Sequence, residues 1–278
     1  MNIRHAIVFA ASAIVVASAQ AQVNLNSSSA TYSQNFDSLT TSTSANQAWA
    51  NNSTLTGWSL FGYAGTDLAT YAGDTGSSNS GGFRSFGSAG STDRALGGLG
   101  SSGTYFGSPG PAAGAVAGYI ALSLSNNSGA ALDSLTLSYA SEQWRNGGNT
   151  TAQTAVMQYG FGSSFGAVGT WSDAGGAFNL GSPVVGSTAA AVDGNAAGHV
   201  NGVGGTLSGL NWANGDTMWV RWTYLNNAGN DHAMAIDDLS LSVAAAAPVP
   251  EPSQYALLIA GLAAIGMVAR RRSGHGRV

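Results

Sequence analysis

The chain has 278 residues, with no cysteine, no lysine, nine arginines and thirteen acidic residues, for a formal charge of −4. The missing cysteines exclude a disulfide framework, a thiol nucleophile and a thiolate metal site, and the excess of carboxylates repels phosphate backbones, so no nucleic-acid partner is expected. Only 8% of the residues are charged, whereas 9% are aromatic and 40 are glycine, a balance foreign to disordered chains and suited to a β protein with many turns.

Met1-Asn2-Ile3-Arg4-His5 is followed by an apolar run over 6–17, then by Ala17-Ser18-Ala19 and Ala19-Gln20-Ala21. A short basic start, an apolar stretch and small residues at A-x-A spacing predict a secretory signal helix. Cleavage is placed after Ala21, with Ala19 as second choice. The chain then divides into a signal peptide (1–21), one exported domain (22–247) and a C-terminal segment (248–278). In the exported domain Arg84, Arg94, Arg145 and Arg221 are the only cationic side chains besides histidine, against about a dozen carboxylates. Export without disulfides leaves core packing, hydrogen bonds or bound ions to hold the fold.

Period-two alternation recurs through this domain, as strands require. A weak strand over 32–39 precedes glycine- and serine-rich loops at 73–82 and 97–110. The first loop is expected to fold over the domain with Asp74, Ser77 and Asn79 as oxygen donors. Ile120, Leu122 and Leu124 alternate with Ala121, Ser123 and Ser125, and Asn126-Asn127-Ser128-Gly129 follows as a turn. Leu135, Leu137 and Tyr139 then alternate with Ser134, Thr136 and Ser138, which predicts a hairpin with one buried and one wetted face. Weaker strands over 155–161 and 177–180 precede two clear ones, 218–225 and 235–243, around a turn at 226–231. Many short strands with such punctuation predict an all-β, antiparallel, jelly-roll-like β-sandwich.

Within Glu142-Gln143-Trp144-Arg145 and Arg221-Trp222, the candidate ligand residues are Glu142, Trp144, Arg145, Arg221 and Trp222. Indole faces stack on sugar rings, while Glu142, Gln143 and Arg145 offer hydrogen bonds to hydroxyls. The competing reading puts the tryptophans in the core and the arginines in charge-assisted pairs with carboxylates. In Asn230-Asp231-His232 through Ile236-Asp237-Asp238, successive side chains point to opposite faces. Asp237 is expected on the face of Leu239, Leu241 and Val243, as a buried partner of Arg221 or Arg94. Asp231 and Asp237, with backbone carbonyls, could begin the oxygen set of a structural calcium, the alternative being a plain salt-bridge network. No catalytic residue is assigned. The domain offers only His199 and His232 for a triad, and Glu142 is its one glutamate, so a glycosidase pair would need an aspartate.

Residues 255–269 carry no charge. As a helix they span ~22 Å, short of the ~30 Å hydrocarbon core. Flanking arginines can snorkel and the bilayer can thin, which lets the run serve as a single transmembrane helix. Pro250 and Pro252 fix its start near Ser253, and Arg270, Arg271 and Arg272 favour the cytoplasmic side. Val249-Pro250-Glu251-Pro252-Ser253, the apolar helix and the arginine cluster, in that order, resemble the PEP-CTERM sorting signal of Gram-negative bacteria. The resemblance implies recognition by an exosortase, a membrane protease, with Pro250, Glu251 and Pro252 as substrate residues. With the leader removed by signal peptidase, it implies export across the inner membrane and transient anchoring by the tail. A cell-surface or extracellular destination follows, in bacteria making exopolysaccharide and biofilm.

The strand from Ile236 to Ser242 is similar to the last strand of jelly-roll modules, including MAM-like and carbohydrate-binding domains, some of which hold calcium through an aspartate there. Phe36-Asp37-Ser38-Leu39, Gly57-Trp58, Asp93-Arg94-Ala95-Leu96-Gly97, Glu142 to Arg145, Arg221-Trp222 and Ile236-Asp237-Asp238 together resemble a group of exported bacterial proteins with the same tail, whose activity is not established. These features lead to an expected surface or matrix protein with an adhesive or structural role, or alternatively a carbohydrate-binding module. A secreted hydrolase is the weakest reading.

Overall fold

Ile120, Leu122 and Leu124 form one apolar row and Leu135, Leu137 and Tyr139 another, and the architecture buries both. The computed structural model describes residues 22–101, 106, 110–246 and 252–273. The signal peptide with Ala19 and Ala21, and Pro250 and Glu251 of the tail, lie outside the described residues. In chain order the strands are β1 (Val23–Leu25), β2 (Thr31–Gln34), β3 (Gln47–Ala48), β4 (Trp58–Gly62), β5 (Thr70–Asp74) and β6 (Gly82–Phe86). There follow β7 (Ala95–Leu99), β8 (Val116–Asn126), β9 (Leu132–Asn146), β10 (Thr154–Phe161), β11 (Ser172–Asp173) and β12 (Leu180–Gly181). Last come β13 (Ala190–Ala191), β14 (His199–Leu207), β15 (Thr217–Leu225), β16 (Ala233–Ala245) and the helix α1 (Pro252–Ser273).

One sheet runs β1-β8-β15-β10-β11, with β4 beside β8 and β12 beside β10. The other runs β13-β9-β16-β7-β6-β5-β3, with β14 beside β9 and β2 beside β16. The two make the expected jelly-roll-like sandwich. Both sheets are mixed, however, because β1 joins β8 in parallel and β5 joins β6 in parallel.

The expected hairpin does not form. β8 belongs to the first sheet and β9 to the second, and β15 and β16 divide in the same way. The turns at 127–131 and 226–232 therefore carry the chain from one sheet to the other. The apolar rows of successive strands meet across the sandwich instead of lying side by side, which removes both from water.

Between the sheets lies one large core in which Trp58, Trp212 and Trp222 are fully buried. Trp58 and Trp222 stack at 5.9 Å between centroids. Each indole N–H has a phenol to donate to, Trp58 to Tyr32 at 2.8 Å and Trp222 to Tyr139 at 3.0 Å. The Tyr139 hydroxyl in turn donates to the Phe178 carbonyl at 2.6 Å. Buried aromatics with polar handles are stable only when those handles are matched, and this chain matches them across both sheets.

β16 changes phase within its length. Met234 and Ile236 point into the large core, whereas Ala233 and Ala235 join a small cluster with Trp144 and Phe86 on the other face. Register with β9 then slips between Asp237 and Ser240, at a bulge where Asp238 has φ +47°. Beyond it Leu239, Leu241 and Val243 point into the core. The bulge corrects the expected placement of Asp237, which shares its face with Ala235 and Glu142 and not with Leu239.

α1 begins at Pro252, in the first turn where the missing N–H costs nothing. Leu257, Leu258, Ile259, Leu262, Ile265, Met267 and Val268 are all more than half exposed. The helix is thus not part of the sandwich core. No helix among the described residues is long and apolar enough to cross a membrane, so the single transmembrane helix expected from the sequence is not confirmed. Glycines and alanines dilute its apolar run, which ends at the arginines after about 22 Å.

Tyr139→Phe would leave the Trp222 N–H and the Phe178 carbonyl without their partner in the core. A loss of about 1–3 kcal/mol of unfolding free energy is expected, measured by urea denaturation with an unchanged slope.

Candidate functional site

The five candidate ligand residues separate into four places. Trp222 is core. Glu142 and Trp144 sit on the outer face of the β9 sheet, Arg221 on the outer face of the opposite sheet, and Arg145 at one end of the sandwich.

On β9, Glu142 lies opposite His199 of β14 on one side and Ala235 of β16 on the other, while Asp237 lies opposite Ala140. Directly opposed residues share a face, so Glu142 and Asp237 are diagonal neighbours on it. Trp144 Nε1 donates to Glu142 Oε2 at 2.8 Å, and His199 Nδ1 stands 3.6 Å from Glu142 Oε1. Trp144 stacks on Phe86 at 6.2 Å. The chain at Gly194 closes over its ring where no Cβ would fit, which requires glycine. Glu142 and Asp237 are 1% and 3% exposed.

Burial drives the Glu142 carboxyl up to about 7, and the Asp93 charge adds to this against the Trp144 N–H and His199. Burial also lifts Asp237 to about 9, helped by the Glu142 charge and opposed by the Asp238 N–H, which Asp237 accepts at 2.7 Å. Neither arginine expected to neutralise Asp237 does so. Arg94 is buried with Ser85 and the Asp74 carbonyl, and Arg221 lies on the other sheet. Burial favours the protonated form of both carboxyls instead.

The opposite outer face has another character. The Arg221 guanidinium carbon lies 3.9 Å from the centroid of Trp171, 4.6 Å from Tyr119 and 5.9 Å from Phe165. Its Nε and Nη2 both donate to Gln158 Oε1, at 2.9 and 2.7 Å, and Gln158 Nε2 donates to Asp173 Oδ1 at 2.8 Å. β10 brings Gln158 opposite Arg221 on β15 and opposite Asp173 on β11. Phe165, Phe61 and Trp219 pack beneath. Trp171 stays partly exposed above them. A partly exposed indole fixed by a cation, beside an amide and a carboxylate, can stack on an apolar ring face and hydrogen-bond to hydroxyls around it.

Sequence reasoning singled out Arg221 but not Trp171, Tyr119, Gln158 or Asp173. The available signal was a tryptophan at 171 among glycine, threonine and serine, with no alternating apolar neighbours to make it a core residue. His199 was noted only as a histidine, and its place beside Glu142 comes from the pairing of β14 with β9.

Asp231 and Asp237 do not meet. Asp231 accepts from the Asn227 backbone and side chain, both at 2.9 Å, while Asp237 lies along β16 beside Glu142. No group of three or more histidine, aspartate or glutamate side chains that could hold a metal ion occurs among the described residues. His232, next to Asp231, accepts the Gly147 N–H at 3.0 Å through Nδ1 and has Nε2 3.2 Å from the Thr151 carbonyl. Burial lowers its pKa. A neutral ring bonded on both sides ties two loops together.

Residues 248–272 match the family model of the PEP-CTERM protein-sorting motif. The chain carries that motif, which implies an exported protein sorted by an exosortase and transiently anchored by its tail. No curated protein matches the chain. Among solved structures it is similar to the CBM22-1 xylan-binding domain of Paenibacillus barcinonensis Xyn10C, at 9% identity and TM-score 0.32, over 80% of this chain and 99% of that one. It is also similar to the CBM22-1-CBM22-2 tandem domain of the same protein, at 9% identity and TM-score 0.33, over 81% and 48% of the two chains. Likeness this distant carries no argument about a ligand.

The carboxyl pair has a measurable signature. In the unfolded chain both groups lose their protons in the ordinary carboxylate range, whereas the folded values are about 7 and 9. The native state therefore holds more protons between these limits, and stability present in acid is lost as pH rises through them. Asp237→Asn is expected to gain stability relative to the parent at pH 9 and much less at pH 5. Melting curves across that range test this, and an equal shift at both ends would refute it.

Proposed function

We propose that this exported, exosortase-sorted chain is a surface or matrix protein whose sandwich binds polysaccharide without catalysis, serving adhesion or structure in exopolysaccharide and biofilm. The observation that carries the reading is the partly exposed Trp171 ring held on Arg221, which is itself bonded to Gln158 and through it to Asp173. Saccharide recognition needs an apolar platform for ring C–H groups and a few oriented polar groups for hydroxyls. Both lie here on one rigid sheet face. The polar groups are already bonded to one another, so little ordering is required when a ligand arrives.

A binding role suits the rest of the site better than hydrolysis does. The paired carboxyls Glu142 and Asp237, the natural acid–base couple, are nearly inaccessible, beside a Trp144 ring that the chain at Gly194 covers. Signal peptidase would remove the leader and exosortase would cut near Pro250-Glu251-Pro252, placing the domain at the cell surface or outside. In this reading the outer membrane is that of a Gram-negative bacterium, and exopolysaccharide is the partner.

Trp171→Ala is expected to abolish retardation on affinity gels cast with the polysaccharide that retards the parent. Trp144→Ala, which empties a covered site, should lower the melting temperature first. Retention of Trp171→Ala equal to the parent on every polysaccharide would overturn the reading. For sorting, replacing Pro250, Glu251 and Pro252 by alanine is expected to leave an uncut precursor in the membrane fraction, read by immunoblot against the released parent.

A further inference from the structure

The domain carries about a dozen carboxylates and four arginines, and three of those arginines are committed. Arg84 pairs with Asp74 at 3.7 Å, Arg94 is buried against Ser85, and Arg221 lies in its aromatic box. Arg145 differs. Its Nη1 donates to the Gly76 carbonyl at 2.9 Å and the Ser77 carbonyl at 3.2 Å, and no carboxylate lies within ion-pair distance of it among the described residues. The two carbonyls fix the direction of the guanidinium and leave Nη2 and Nε without a hydrogen-bond partner among the described residues. Those donors belong to a side chain that lines a cleft of about 340 Å³ at the end of the sandwich, with Asn79, Ser101, Asn230 and Asp231. The cleft exists because five connections converge there and because Gly147 passes so close to Asp231 that a Cβ has no room.

The contents of this cleft select a ligand. One oriented guanidinium takes a carboxylate. Two asparagine side chains, a serine and several glycine peptides offer hydrogen bonds to hydroxyls. Asp231, at the same wall, disfavours a doubly charged phosphate or sulfate. The volume is that of a small ligand site, at the lower end of the usual ~300–1,000 Å³. We propose that the cleft binds a carboxylate-bearing sugar unit, a uronate, with Arg145 on the carboxylate. The inference rests on the saccharide reading above but concerns a second site, on different elements from the Trp171 face.

The test is calorimetric titration of the full-length protein with oligosaccharides of glucuronate, galacturonate and mannuronate, with their methyl esters as uncharged counterparts, and with inorganic phosphate. Saturable binding of at least one acid, at least about tenfold tighter than its ester, is expected. Arg145→Gln should remove that preference, and Arg145→Lys should recover only part of it. Because Arg145 also holds the loop at Gly76, Asn79→Asp gives a second variant at an exposed position. It places a like charge on the lining and should weaken the acid about tenfold without changing the melting temperature. Trp171→Ala should leave the acid-over-ester preference intact, so loss of polysaccharide retention in that variant alone separates the two readings. Equal binding of acid and ester, phosphate binding as tightly as the uronates, or an unchanged preference in Arg145→Gln and Asn79→Asp would each overturn the proposal.

Discussion

The apolar contact between the two sheets is the constraint on which everything else depends. With no cysteine to crosslink and few ion pairs to draw on, the chain must exclude water from a wide interface by packing alone. It does so with bulk. Trp58, Trp222, Trp212, Tyr139 and Tyr224 fill the space between β8, β15 and β4 on one side and β9 and β16 on the other. Aromatic side chains bury large areas at a small entropic cost, and their polar atoms are satisfied inside the core, so no partner has to be drawn from solvent. That leaves both outer faces available to be built differently.

The difference between those faces follows from what covers them. Over the β9 sheet, the chain at 190–198 lies against Trp144, so Glu142 and Asp237 become interior groups although they sit on an outward-pointing row. Over the β15 sheet, the cover is only the short segment around Phe165 and Trp171, and Arg221 is wedged between rings and not capped by chain. The same alternation that sends Trp222 inward sends Trp219 and Arg221 outward, and the local cover then decides whether the outward group is solvated or sealed.

Much of this was legible in the sequence, and the misses have physical reasons. Alternation in 119–139 and 218–225 gave the strands and their faces correctly, and the order of proline, apolar run and arginines identified the tail. Alternation does not say which strand lies beside which. An Asn-Asn-Ser-Gly turn serves a hairpin or a crossing between sheets equally well, so the expected hairpin is a crossing instead. The phase change at Asp238 was hidden because a bulge inserts a residue without altering the pattern of residue types around it. Trp171 escaped notice because its neighbours are loop residues, and its importance arises from Arg221, fifty positions along the chain. Arg145 was named as a ligand residue, but the cleft it lines is assembled from five separate connections.

The last strand has a mechanical consequence. β16 is paired on both edges, with β9 along most of its length on one side and with β7 and β2 on the other, and the sorting motif starts three residues after its end. Tension on the tail that is directed along β16, whether from an anchor or from an enzyme drawing in the motif, therefore acts on a strand locked into the middle of its sheet. A pull in that direction must break many backbone bonds at once, whereas a strand on an edge would peel away one bond at a time. The handle by which the chain is sorted is fastened where pulling on it disturbs the sandwich least.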